Sequence, residues 1–161
     1  MAVKKGVEAF KIEFSNNGLI DSVSGSPAPR IFIDNLVREV ARSNRSHQAF
    51  SITTIKIANH LEITASNYGQ FLENTILVNR ALKANLRAGD FYSRFADTGF
   101  WICINGDLAE AEFAVARFES AINVVGGKSI DFEFSTQQWQ HKEVALGFIE
   151  RIDREFFKNS D

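Results

Sequence analysis

The sequence predicts an α/β fold in which a mixed β-sheet carries helices packed against it. Three observations lead there. The apolar residues switch between a two-residue and a 3.6-residue period along the chain, giving the order β, α, β, α, β, β, α, β, α. Two of those strands are joined by a turn too short to hold a helix, so a hairpin interrupts the crossover pattern and mixes the strand directions. The 161 residues, 45% of them hydrophobic, are enough for one domain with its own core and no disulfide or metal staple.

Each element has its own signal. Ala9 to Phe14 reads as a strand, with Phe10, Ile12 and Phe14 alternating against Lys11 and Glu13 before the breaker Ser15-Asn16-Asn17-Gly18. A turn-rich stretch ends in Gly25-Ser26-Pro27-Ala28-Pro29, where Pro29 is placed to open a helix. Its apolar stripe is Phe32, Leu36, Val37 and Val40, and it stops near Arg42 to Arg45. Phe50 to Ile57 is β-branched and alternating, a strand. A loop around Asn67-Tyr68-Gly69 precedes a second helix carrying Leu72, Ile76, Leu82 and Leu86 to Arg87, with Gly89 as its stop. Phe91 to Phe95 and Phe100 to Ile104 flank Ala96-Asp97-Thr98-Gly99, a β-hairpin. Leu108 to Ile122 forms a third helix, Gly126-Gly127 a turn, and Ile130-Phe132-Phe134 the last strand. Ala145, Ile149, Ile152 and Phe156 define the final helix. No internal repeat, low-complexity tract or linker divides the chain.

Composition narrows the function classes. Lys and Arg total 18 against 20 Asp and Glu, a net charge of −2, so no basic excess points to nucleic acid or to an anionic membrane surface. A small anionic ligand held by local groups is still compatible. With one cysteine, Cys103, and three histidines, His47, His60 and His141, lacking metal-ligand spacing, neither a disulfide nor a zinc site is expected. A reducing, cytoplasmic setting fits. No apolar run approaches the roughly 20 residues that span a bilayer, and no signal-like stretch follows Lys4-Lys5, so membrane insertion is not expected. The 15 Phe against 2 Tyr and 2 Trp imply a large aromatic core.

Four short segments, in order, resemble one family. Asp21-Ser-Val-Ser-Gly25-Ser-Pro-Ala-Pro-Arg30-Ile-Phe32 is similar to the Asp-x-Leu-Thr-Gly-Leu-x-Asn-Arg-Arg-x-Phe opening of GGDEF (diguanylate cyclase) domains. Arg94-Phe95-Ala96-Asp97-Thr98-Gly99-Phe100 stands where that family has Arg-Tyr-Gly-Gly-Asp-Glu-Phe, and Arg87-Ala88-Gly89-Asp90 has the offset of its Arg-x-x-Asp inhibitory site. Ile152-Asp153-Arg154-Glu155-Phe156-Phe157 looks like Ala-Asp-x-Ala-Leu-Tyr on the family's last helix. The resemblance implies a five-stranded mixed sheet flanked by helices, related to the palm of nucleotide cyclases and polymerases. It divides the chain into an N-terminal extension with a short strand, residues 1–19, and a degenerate GGDEF domain, residues 20–161.

Active members of the family condense two GTP into cyclic di-GMP with acidic residues holding two metal ions. In the hairpin, Ala96-Asp97-Thr98-Gly99-Phe100, the metal-ligating acid is replaced by Thr98, and Asp97 brings charge where glycine makes room for phosphates. The other metal-binding Asp falls on Ile55 or Lys56, neither of which suits a hard cation. The guanine-binding stretch is matched only in its middle, at Ala65 to Gln70. The resemblance therefore implies a catalytically inactive domain with no resident cofactor, Mg²⁺ included. What it leaves is Arg87 and Asp90 as a cyclic di-GMP site in signalling: Arg offers a planar fork to phosphate or the Hoogsteen edge of guanine, and Asp accepts from guanine N1 and N2. The plainer reading of the two is a solvated ion pair at a helix end. A nucleotide-independent protein-interaction or dimerisation module on the same fold is the alternative, and a residual cyclase or GTP-binding domain a third. Cys103 reads as a small core residue, the histidines as surface residues, and Trp139, in a polar run, as a packing residue or a partner contact.

Overall fold

The computed structural model describes residues 18–57, 66, 68–96, 99–126 and 132–158. Pro29 occupies the first turn of α1 (Pro29–Ser46), where its missing N–H and fixed φ cost nothing. The helix ends on His47, which takes a left-handed conformation (φ 56°) and donates its backbone N–H to the Ser43 carbonyl. After β1 (Phe50–Ile57) come α2 (Tyr68–Asn85), β2 (Phe91–Ala96), β3 (Gly99–Asn105), α3 (Leu108–Gly126), β4 (Phe132–Gln138) and α4 (Ala145–Lys158). The expected loop at Tyr68-Gly69 is instead the first turn of α2.

The described sheet has four strands in the order β2-β3-β1-β4, and every neighbouring pair is antiparallel. This corrects the expectation of a mixed, five-stranded sheet. The crossover through α2 does make β1 and β2 parallel, but β3 returns between them and pairs with both, so no parallel pair forms. The expected strand at Ala9–Phe14 lies outside the described residues. From β1 to β4 the arrangement is the split βαβ, or ferredoxin-like, topology, with α1 added before it and α4 after.

Alternation along the strands gives the sheet two buried faces. Ile55, Phe100, Ile102 and Ile104 point toward α2 and α3, where Val78, Leu82, Ala114 and Phe118 complete one core. Phe50, Ile52, Trp101 and Cys103 point to α1 and α4, meeting Phe32, Leu36, Phe148 and Ile152. The phenylalanine excess has a visible use: Phe32 of α1 stands edge-on to Phe91 and Phe95, and Phe95 stacks on Trp101 at 4.4 Å. Trp139 is buried. It stacks on Phe50 at 5.3 Å, and its indole N–H donates to the Glu143 carbonyl at 2.9 Å. Packing, not a partner, accounts for it.

Candidate functional site

The hairpin is closed by the pairing of Ala96 with Gly99, and a bulge between Arg94 and Ala96 shifts the register. Residues 97 and 98, and with them the expected turn residues Asp97 and Thr98, lie outside the described residues. Gly99 and Phe100 are buried, Phe100 in the core under α2 and α3. Directly across on β1, Ile55 faces Phe100 and Lys56 faces Gly99. Ile55 is wholly buried in the same core.

Arg94, at the head of the hairpin segment, is fully buried and so is its partner Asp21. Nη1 of Arg94 lies 3.1 and 3.3 Å from the two carboxylate oxygens, and the guanidinium lies 5.9 Å from the centre of the Phe71 ring on α2. Asp21 Oδ2 also accepts from the backbone N–H (2.8 Å) and hydroxyl (2.5 Å) of Ser24. Burial pushes the Asp21 carboxyl up, but the Ser24 hydrogen bonds and the Arg94 charge outweigh it and hold the group below its usual range. Ser93 adds a hydrogen bond to the Pro27 carbonyl at 2.7 Å. The opening segment is thereby fastened to β2. In the sequence Asp21 and Arg94 stand in separate motifs with no role of their own; the signal for their pairing is an acid and a base each heading its motif.

Toward the other end of β2, about 13 Å from Arg94 at 3.3 Å per residue, lies the turn Arg87-Ala88-Gly89-Asp90. Gly89 has φ 94°, and a Cβ there would come within 2.6 Å of Asn105 Nδ2. Asp90 is half-buried, and both its oxygens cap backbone: Oδ2 accepts from Arg87 N–H (3.2 Å) and Oδ1 from Asn105 N–H (3.0 Å). The side chain of Asn105 in turn accepts from Arg42 Nη2 at 2.7 Å, and Arg42 also binds Gln48 (2.7 Å) and Glu39. The Arg87–Asp90 ion pair of the plainer reading is not what the fold builds. Asp90 is held by two N–H groups, while the guanidinium of Arg87 is exposed and makes no hydrogen bond or ion pair with the described residues. Each Asp90 oxygen keeps a second lone pair for a ligand donor. Asn105 and Arg42, which brace the turn from β3 and α1, lie 15 or more residues from it and were not found by sequence reading.

Among the described residues no three His, Cys, Asp or Glu side chains are grouped to hold a metal ion. None of the described helices is long and apolar enough to cross a membrane. Cys103 is buried beneath α1; burial and the nearby charges of Glu39 and Asp90 push its thiol well up.

No protein-family model and no curated protein matches the chain. Solved structures do. The diguanylate cyclase SiaD of Pseudomonas aeruginosa, solved with its activator SiaC, aligns with a TM-score of 0.73 at 19% identity over 84% of this chain, which spans only 55% of the SiaD chain. A microbial GGDEF domain solved in an interaction with cyclic di-GMP aligns at 0.73 and 14% identity, covering 88% of this chain and 92% of that one. The GGDEF domain of DgcB from Caulobacter crescentus, in complex with cyclic di-GMP, aligns at 0.70 and 11% identity, covering 91% and 93%. The fold of this chain is that of the GGDEF domain of diguanylate cyclases.

Proposed function

We propose that residues 20–161 form a catalytically inactive GGDEF domain that acts in cyclic di-GMP signalling as a regulatory module or receptor, binding the dinucleotide through Arg87 and Asp90. The observation that carries this reading is the Arg87–Asp90 turn: an exposed guanidinium fork with no partner among the described residues, beside a carboxylate already fixed by two backbone N–H groups. The carboxylate is already in place, so binding has to order only the Arg87 side chain. The fork suits phosphate or the O6/N7 edge of guanine, and the free lone pairs of Asp90 suit the guanine N1 and N2 hydrogens.

Inactivity is supported by the donors at the two places where the GGDEF resemblance calls for metal-ligating acids. At one, the choice is between Ile55, buried in the core, and Lys56, opposite Gly99; at the other stands Thr98. Mg²⁺ is held by one or two carboxylates beside waters and substrate phosphates, and this set, with no carboxylate, does not fit it. No phosphoryl-transfer step is therefore assigned to the chain.

The test is a calorimetric titration of the folded chain with cyclic di-GMP, repeated on Arg87→Ala. Saturable heat in the wild type that disappears in the variant is expected; a silent wild type refutes the reading. Turnover of GTP with Mg²⁺ above background would overturn the assignment of inactivity.

A further inference from the structure

We propose that His47 and His141 form a surface site for a divalent transition-metal ion, independent of the dinucleotide site. His47 sits at the C-terminal end of α1 and His141 in the turn between β4 and α4, 94 positions later in sequence, yet their rings lie 5.1 Å apart between centroids and are tilted by 39°. Both are exposed and line a concavity of about 190 Å³ together with Gln48, Ala49, Gln138 and Trp139. The separation is the one chelation requires. With metal–nitrogen bonds of about 2.1 Å an ion lies about 3.2 Å from each imidazole centroid, and N–metal–N angles between square-planar and tetrahedral then set the centroids about 4.5–5.2 Å apart.

Three further features favour a cation there. The carbonyl end of α1, where His47 stands, carries the negative end of the helix dipole. The two histidines are held by folded scaffold: His47 is in the helix cap, and His141 lies edge-on to Trp139 at 5.9 Å, which is itself buried on Phe50. The two segments are also fastened together, since Lys142 N–H donates to Asn44 Oδ1 at 3.3 Å. The amide oxygens of Gln48 and Gln138 each accept one hydrogen bond, from Arg42 and from Leu108 N–H, and water fills the positions that the two imidazoles leave open. Two neutral imidazoles with open positions suit Zn²⁺, Ni²⁺ or Cu²⁺ and not Mg²⁺ or Ca²⁺.

The experiment is a calorimetric titration of the full chain with zinc chloride, and separately nickel chloride, beside melting curves with and without the metal. The variants are His47→Asn, which keeps the left-handed backbone tolerable, His141→Ala, His141→Gln as a second neutral replacement, and His60→Ala as the control. One equivalent of metal is expected to bind the wild type and His60→Ala and to raise their melting temperatures. Binding is expected to weaken at least tenfold, with no rise in melting temperature, in His47→Asn and in both His141 variants. No binding to the folded wild type, weakening below tenfold in those variants, or loss in His60→Ala would overturn the proposal.

Discussion

Replacing Asp21 by Asn isolates the charge in the buried pair that fastens the opening segment to the hairpin. The amide is isosteric and its oxygen can still accept from Ser24, so the principal loss is the counter-charge of a guanidinium that is fully buried. Breaking a buried pair from one side costs about 3–5 kcal/mol, a large part of the roughly 5–15 kcal/mol that holds a domain folded. With a urea m-value near 2 kcal/mol/M, the unfolding midpoint should fall by about 1.5–2.5 M. Removing the other charge as well, in Asp21→Asn/Arg94→Met, should recover at least half of that loss, because the buried guanidinium that has lost its Asp21 counter-charge is then removed too. The pH dependence has a definite sign. The folded carboxyl is held below its usual range, so its contribution is complete above the unfolded value of about 3.9 and disappears as pH falls through the lower folded value. The deficit of Asp21→Asn should therefore narrow below about pH 4. A single variant within about 1 kcal/mol of wild type, or a double variant no better than the sum of the singles, would refute the reasoning.

Other outcomes follow from the same geometry. Gly89→Ala should destabilise by about 1–2 kcal/mol from its left-handed backbone alone, and more because the new Cβ meets Asn105; a chemical melt reads this, and the same variant should bind cyclic di-GMP more weakly than wild type. Trp139→Ala should cost about 3–5 kcal/mol, since the ring is buried against Phe50; a loss under 1 kcal/mol would place the ring outside the core. Cys103, buried and with its thiol pushed well up, should react with a thiol reagent only on unfolding, so its labelling rate in the native protein should track the unfolding equilibrium.

The elements that sequence reading located well are those whose periodicity is local. Phe50 to Ile57 became β1, Pro29 opened α1, and Ala145, Ile149 and Ile152 face the core from α4. Strand adjacency is not local. Nothing in the hairpin sequence says that β3 returns between β1 and β2, and that insertion alone makes every described pair antiparallel. Trp139 was ambiguous because the flanking glutamines of β4 suggest solvent; its burial comes from Phe50, 89 positions earlier. Arg87 and Asp90 were legible as a pair at a meaningful offset. That Asp90 would cap backbone N–H groups and leave Arg87 exposed depended on Asn105, which only the folded hairpin brings to the turn.

Titrating the isotope-labelled chain with cyclic di-GMP and following its backbone amide resonances tests the central claim most directly. The account predicts that saturating shifts centre on Arg87 to Asp90 and on the Asn105 amide, which Asp90 holds, and that they vanish in Arg87→Ala. An unperturbed spectrum, or shifts centred elsewhere and unchanged in that variant, would contradict it.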